Sequence, residues 1–194
     1  PHCDHRDLTS IRRRQSQMCI RDRLNAGALK LPSVKPASDS NPTFSPFKIF
    51  NKNGIRVGIF GIGIELDGLV PKKLFNETKY LDPIEISNKY SKELKVKHNC
   101  DLVICLSHLG FKYKSEKISD IKLASKTKNI DLILGGHTHT FLKKPVMIKN
   151  LEDKNVIINQ VGYGGINIGK IDFTFQQNLY KIGSEKSSIL VKNK

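Results

Sequence analysis

Two short apolar runs, each ending in histidine, limit the folds open to this chain. They are Asp101-Leu-Val-Ile-Cys-Leu-Ser-His108 and Asp131-Leu-Ile-Leu-Gly-Gly-His-Thr-His-Thr140. Each run is short for a helix, and the second stops at two glycines, which are poor formers of regular structure, so both predict buried strands. The chain is therefore expected to contain a sheet whose strand ends carry His108, His137 and His139.

The position of these histidines predicts a ligand site. In open α/β sheets, ligands bind beyond the carboxyl ends of the strands, so His108, His137 and His139 are expected to converge. Side chains two residues apart in an extended segment point to the same side, so His137 and His139 can face one cation or two neighbouring ones. Three imidazoles suit zinc, manganese or iron. The alternative is a surface loop with two solvated histidines, and the adjoining glycines count against it because they let a backbone approach a ligand closely.

The remaining patterns predict strands and helices in alternation. Asn53-Gly54 lies between two apolar segments and predicts a β-hairpin. Asp82-Pro-Ile-Glu85 predicts a helix start, with aspartate at the N-cap and proline at the first helical position, and the helix is expected to run to about Lys97. The predicted strands cover 47–50, 55–60, 101–108, 129–136, 155–161 and 168–175, and a short helix covers 119–128. This interleaving predicts an α/β domain with a mixed sheet.

The basic residues are unevenly distributed. The 194-residue chain has a formal net charge of +15, and six of its seven arginines lie within residues 1–23, whereas the remainder relies on lysine. The stretch Arg12-Arg-Arg-Gln-Ser-Gln-Met-Cys-Ile-Arg-Asp-Arg23 also resembles translated sequencing-adapter sequence, so residues 1–23 are interpreted as a basic segment that is not native protein. The alternative function is a nucleic-acid-binding protein that contacts phosphates through this basic arm. Because the lysines of the remaining chain are scattered rather than clustered, nucleic acid is not expected as a partner.

The rest of the chain divides by composition. Residues 24–46 contain four prolines and predict an irregular linker, residues 47–175 hold the predicted strands and helices, and residues 176–194 form a polar tail. The sequence contains no run of 18 apolar residues, so no membrane span is predicted. The basic N-terminal segment has no signal-peptide pattern. The four cysteines lack metal-finger spacing, and Cys105 is predicted to be a buried apolar side chain.

A series of motifs resembles those of a known family. Leu106-Ser-His108-Leu-Gly110 is followed by Gly135-Gly-His-Thr-His-Thr140, and then by Asn159-Gln-Val-Gly162 and Gly169-Lys-Ile-Asp172. In this order they resemble the calcineurin-like metallophosphoesterases and, within them, the catalytic domain of the 5′-nucleotidases. The resemblance covers about residues 47–175. The combination of a Ser-His strand end with a Gly-His-Thr-His element is fairly specific, whereas either half alone is not.

The resemblance implies a fold, a metal site and an activity. The implied fold is an α/β sandwich of two mixed β-sheets flanked by helices, with two divalent metal ions, such as Zn²⁺ or Mn²⁺, at the strand ends. His108 and His137 correspond to ligands of one ion, and His139 corresponds to a ligand of the other. The implied activity is phosphomonoester hydrolysis by a dinuclear metal-activated water, with a nucleotide or another small phosphate ester as substrate. A phosphodiesterase or another phosphatase of the same fold is the alternative.

The sequence departs from the family in its first part. The family's Asp-x-His, its Gly-Asp with a bridging aspartate, and its Gly-Asn-His with the acid nearby are absent, so no catalytic residue is assigned in this chain. We expect the C-terminal half of a phosphoesterase domain, incomplete at the N-terminus, inactive alone and able to bind at most one metal ion weakly through His108, His137 and His139. The resemblance also implies an extracytoplasmic, periplasmic location. A further alternative is a non-catalytic domain in which the histidines merely end strands.

Overall fold

The computed structural model describes residues 29–30, 45–75, 79–173, 175 and 184–190. The basic segment 1–23 and most of the linker 24–46 lie outside the described residues. The strands, in chain order, are β1 (Leu29–Lys30), β2 (Phe47–Lys52), β3 (Ile55–Ile62), β4 (Lys79–Tyr80), β5 (Leu102–Ser107), β6 (Leu132–Leu134), β7 (Val146–Lys149), β8 (Asn155–Asn159), β9 (Asn167–Phe173) and β10 (Ser184–Leu190). The helices are α1 (Pro83–Lys92), continued by a π-helical turn (Glu93–Lys97), α2 (Asp120–Lys126) and a short 3₁₀ turn (Lys72–Leu74).

A mixed six-stranded sheet lies at the centre of the described part, with strand order β2-β3-β5-β6-β8-β7. The four inner strands run parallel, and β2 and β7 pair antiparallel at the two edges. The described residues add two two-stranded antiparallel sheets, β1 with β4 and β9 with β10. The α/β class predicted from the sequence, with a mixed sheet flanked by helices, is confirmed.

The hairpin of β2 and β3 forms at the predicted turn. Asn53 and Gly54 both adopt positive φ, 51° and 85°, the pair of left-handed residues that a tight two-residue hairpin turn requires. The Gly54 N–H donates to Asn51 Oδ1 at 3.1 Å. Asparagine tolerates this conformation and glycine adopts it freely, so the sequence determines this turn locally.

The aspartates that open the two apolar runs help to fix the register of the parallel strands. Asp101 Oδ2 accepts from the Arg56 N–H at 2.7 Å, and Asp131 Oδ2 accepts from the Val103 N–H at 2.7 Å. Lys95 also lies 2.8 Å from Asp131 Oδ2. Each carboxylate therefore satisfies a backbone donor at the start of the neighbouring strand, which lowers the cost of ending the ladder there.

The helices begin at side-chain caps and cover the sheet. Asp82 Oδ1 accepts from the N–H groups of Ile84 and Glu85 at the start of α1, as the sequence predicts, and the Ser119 hydroxyl caps α2. Between helices and sheet lies a core in which the following side chains have no exposed surface: Phe60, Ile62, Leu94, Val103, Cys105, Leu109, Leu123, Ala124, Ile133, Val156 and Ile158. Cys105 is thus buried, as predicted, and remains a free thiol.

Some strands were not predicted or lie elsewhere than expected. β7 was missed, because it is only four residues long and half-exposed along an edge. The predicted strand at 168–175 forms as β9, which pairs with β10 rather than joining the main sheet. β10 itself falls in the segment 176–194 that composition described only as a polar tail. Within the described ranges, no helix is long and apolar enough to cross a membrane.

Candidate functional site

Three parallel strands deliver the candidate residues to one edge of the sheet. In register, Ile62 at the end of β3 pairs with Ser107 at the end of β5, and Leu134 at the end of β6 pairs with Asn159 at the end of β8. The segments that follow β5, β6 and β8 therefore leave the sheet side by side. They begin with His108, with Gly135 and with Gln160, so the expected convergence at the carboxyl edge arises from parallel pairing.

His108 and His137 lie next to each other at this edge. Their ring centroids are 5.1 Å apart, and the rings meet nearly edge to face, at 72°. The His108 N–H donates to the Ile62 carbonyl at 2.9 Å, which continues the β3 to β5 ladder by one residue. The structure therefore brings together two of the three histidines that the sequence singled out.

His139 has a different ring neighbour. Its imidazole stacks on Tyr163, with ring centroids 5.2 Å apart and an interplanar angle of 30°. Tyr163 in turn meets Phe141 edge to face at 5.7 Å, and both aromatic side chains are about half exposed. The metal-ligand roles of His108, His137 and His139 stay predictions.

The loop that carries His137 and His139 is not extended. Strand β6 ends at Leu134, and both histidines adopt positive φ, 70° and 53°, a conformation that few non-glycine residues adopt and in which asparagine, aspartate and histidine are the most frequent of them. The Thr138 N–H donates to the Gly136 carbonyl at 2.9 Å, which closes a three-residue γ-turn centred on His137. The rule that alternate residues of a strand share one side therefore does not apply to this pair.

A buried polar layer supports the strand ends from below. Asp120, the first residue of α2, has no exposed surface, and its Oδ1 accepts from the Ser107 hydroxyl at 2.5 Å. The Ser107 oxygen accepts in turn from the Leu109 N–H at 3.2 Å. Among the residues that the structure describes, Asp120 Oδ2 has no hydrogen-bond partner. Helix α2 is thus connected through Ser107 to the segment on both sides of His108.

Burial of this layer shifts the ionisation of its members. Desolvation raises the pKa of Asp120 to about 7, and the hydrogen bond from Ser107 offsets part of that shift. Burial also raises the pKa of the Cys105 thiol and of the Tyr113 phenol, with the charge of Asp120 as a second cause for each. The Tyr113 hydroxyl donates to the Leu109 carbonyl at 2.6 Å. The interior beneath the strand ends therefore favours neutral side chains.

Two glycines allow the loop to approach this layer closely. A Cβ atom on Gly135 would collide with Asp120 Oδ2 and lie 3.1 Å from Gln160 Nε2. A Cβ atom on Gly136 would lie 3.1 Å from His108 Nδ1. The paired glycines of the sequence motif are thus explained by contact with buried polar groups and with the imidazole of His108.

The donor set fits only part of a two-metal site. His108 and His137 offer two neighbouring imidazoles, which suit a zinc or manganese ion. Among the residues that the structure describes, however, no group of three or more histidine, cysteine, aspartate or glutamate side chains could hold a metal ion. The described residues therefore offer two neighbouring imidazoles, without a third clustered side chain of a type that binds metal.

Sequence reasoning assigned no role to several residues at this edge. Gln160 is buried, with 2% of its surface exposed. Its amide forms hydrogen bonds with Gly136, Thr138 and Thr140, in the loop that carries His137 and His139 and is called the histidine loop below. Asp120 and Tyr163 were likewise not singled out. For Gln160 a signal was present, since it belongs to the motif Asn159-Gln-Val-Gly162 and follows directly after the buried strand β8, at the same edge as His108.

Comparison with known proteins identifies similar sequences and folds. The chain is 27% identical over 146 residues to a trifunctional nucleotide phosphoesterase of Bacillus subtilis, a match that covers 75% of this chain and 9% of that protein. The crystal structure of a 5′-nucleotidase precursor from Thermus thermophilus superposes with a TM-score of 0.66 and 26% identity over 84% of this chain and 32% of that one. A calcineurin-like phosphoesterase of Bacillus subtilis shares the fold, with a TM-score of 0.61 and 23% identity over 84% of this chain and 54% of the other.

These similarities cover most of this chain but little of its relatives. The chain spans between 9% and 29% of the length of the curated relatives described by the comparison. No family model matches the sequence.

Proposed function

We propose a function for this chain from the premise that its relatives and structural neighbours, over most of its length, are 5′-nucleotidases and calcineurin-like phosphoesterases. The proposed function is metal-dependent hydrolysis of nucleoside 5′-phosphates by the whole protein to which this region belongs. The observation that carries it is the apposition of His108 and His137, with rings 5.1 Å apart at the ends of two adjacent parallel strands.

The histidines supply ligands in this proposal. His108 and His137 hold one divalent cation, and His139 contributes to a second. A pair of divalent cations, when bound, neutralises phosphate charge and lowers the pKa of an attacking water. Neutral imidazoles bind cations without cancelling their charge, which leaves that charge available to a phosphate ester. The glycines before the loop let its backbone come close to His108.

The described residues contribute one side of the proposed site. In the same proposal, residues 47–175 form the C-terminal half of the catalytic domain, and the acidic ligands and the proton donor come from elsewhere in the whole protein. The proposed compartment is extracytoplasmic, by analogy with the family resemblance. Cell fractionation followed by detection of the protein would test that location directly.

The ligand assignment is tested by metal content. His137→Ala should reduce the zinc or manganese that copurifies or binds on titration, measured by elemental analysis. His98→Ala is the matched control, because His98 is a histidine packed 5.2 Å from the Phe47 ring, at the far end of the turn after α1. Equal metal content in the wild type and His137→Ala would contradict the assignment.

The activity is tested on the complete gene product. Phosphate release from a nucleoside 5′-monophosphate should depend on an added divalent cation. His137→Ala should reduce kcat/KM by a factor of about 100 or more, because even groups that only orient metal ligands cost about 10–100-fold when they are lost. Release from a phosphodiester but not from a monoester would instead favour a phosphodiesterase. Hydrolysis that persists unchanged in a chelator would exclude the metal-dependent reaction.

A further inference from the structure

Gln160 holds the histidine loop at three points. Its Nε2 donates to the Gly136 carbonyl at 2.6 Å, and its Oε1 accepts from the Thr140 N–H at 2.5 Å and from the Thr138 hydroxyl at 3.1 Å. A glutamine amide offers two donors and two acceptor sites, so both ends of this side chain are engaged. The three anchored residues alternate with His137 and His139 along the loop.

The backbone held by Gln160 adopts an uncommon conformation. The positive φ values of the two histidines and the γ-turn at His137 belong to sparsely populated backbone regions, which cost about 1–3 kcal/mol each and persist only where the surroundings stabilise them. The Gly136 carbonyl, which closes the γ-turn, is also the acceptor of the Gln160 amide. Gln160 thus stabilises the γ-turn through its hydrogen bond to the carbonyl of Gly136, the residue before His137.

The same network reaches the segment that carries His108. The Thr138 hydroxyl, which donates to Gln160, accepts from the Phe111 N–H at 3.0 Å. Phe111 follows Gly110, whose φ of 96° turns the chain just after His108. The Thr138 side chain therefore connects Gln160 both to the loop that carries His137 and His139 and to the segment that follows His108.

We infer that Gln160 is the positioning residue of the site: it sets the placement of His137 and His139 relative to His108 and touches neither substrate nor metal itself. The inference rests on the proposed function, because it concerns the imidazoles that the proposal assigns as ligands. Groups that orient metal ligands through hydrogen bonds typically lower metal affinity by a factor of about 10–100 when they are removed. Loss of the Gln160 amide should therefore weaken cation binding without removing a ligand.

The test uses Co²⁺ as the probe and the full chain as the protein. Gln160→Met keeps a similar volume but removes every hydrogen bond of the amide, and its Co²⁺ dissociation constant, measured by visible absorption, should rise about tenfold or more. Asn150→Ala is the matched control, because Asn150 is also a buried amide, 8% exposed, that accepts two backbone N–H groups, those of Glu152 and Lys154, in a turn outside the site. Its dissociation constant should stay within about twofold of the wild type.

A second measurement detects positioning without any metal. In the metal-free protein, the imidazole ¹⁵N resonances of His137 and His139 should shift or broaden in Gln160→Met and remain as in the wild type in Asn150→Ala. Thr138→Val is the second variant should Gln160→Met fail to fold, because it breaks the contacts to Gln160 and Phe111 while keeping the shape of the side chain. Unchanged imidazole resonances in the folded variant would overturn the inference.

The outcomes separate the inference from the proposed function. If His137→Ala weakens Co²⁺ binding and Gln160→Met does not, the positioning role is wrong and the ligand assignment stands. If His137→Ala binds Co²⁺ as the wild type does, both are wrong. Weakening by both variants, with the Asn150→Ala control unaffected, supports the inference.

Discussion

Replacement of Asp120 by asparagine should change how the stability of the protein depends on pH. Asp120 is fully buried beneath the strand ends, and burial raises its pKa from an ordinary 3.8 to about 7. The folded protein therefore binds the Asp120 proton more tightly than the unfolded chain does. The asparagine of the Asp120→Asn variant is a neutral side chain of similar shape that can still accept from the Ser107 hydroxyl, but it does not titrate.

The magnitude follows from the difference between the two pKa values. A difference of roughly 3 units, at about 1.4 kcal/mol per unit, corresponds to about 4 kcal/mol. This stabilisation is fully present below the unfolded pKa of about 4 and is lost as pH rises through the folded pKa of about 7. The wild type should therefore lose about 4 kcal/mol more unfolding free energy than Asp120→Asn between about pH 4 and about pH 8.

Urea denaturation of both proteins at closely spaced pH values measures this difference. A difference in unfolding free energy that is the same at every pH reflects the unequal packing of aspartate and asparagine at position 120. A difference that changes with pH reflects the titration of Asp120. Ser107→Ala provides a further check, because removal of a hydrogen bond that lowers the pKa of Asp120 should extend the loss of stability to higher pH. Parallel curves for the wild type and Asp120→Asn across the whole range would refute the proposed protonation of Asp120.

Further substitutions test the packing of the site and of the fold. Gly135→Ala should destabilise the protein by about 1–3 kcal/mol in urea denaturation, because the added methyl group meets the Asp120 carboxyl and the Gln160 amide; wild-type stability would contradict the close approach. Gly136→Ala should leave stability nearly unchanged but move the His108 imidazole resonances, since its Cβ would lie 3.1 Å from Nδ1; identical resonances would count against that contact. Asp82→Ala should cost about 1 kcal/mol by loss of the N-cap of α1, and a neutral effect would show that the cap is dispensable.

Much of the fold was predictable because its determinants are local. The turn at Asn53 and Gly54, the N-cap at Asp82 and the buried strands that end near His108 and Gly135 each depend on a few adjacent residues. The fold differs from the prediction at strands whose partner strand is distant in the sequence or is itself polar. β9 pairs with β10 in a separate sheet, and nothing in its own sequence distinguishes that partner from the main sheet.

The candidate site was predictable only in outline. Parallel strands end at one edge, so His108 and the later histidine pair were expected to meet, and the rings of His108 and His137 do. The turn of His139 onto Tyr163 could not be foreseen, because it follows from positive φ values that non-glycine residues seldom adopt. Such values become favourable only in the presence of groups that hold the loop.

The sequence by itself determined that buried strands precede His108 and Gly135 and which residue types follow them, because apolar runs, glycines and caps act over a few residues. The tertiary structure alone decided what those residues touch. Gln160 reaches Gly136 across 24 positions, and Ser107 reaches Asp120 across 13. Hydrogen bonds between distant segments form only once the sheet has placed their ends side by side, so the placement of the histidines is a property of the fold rather than of the motif.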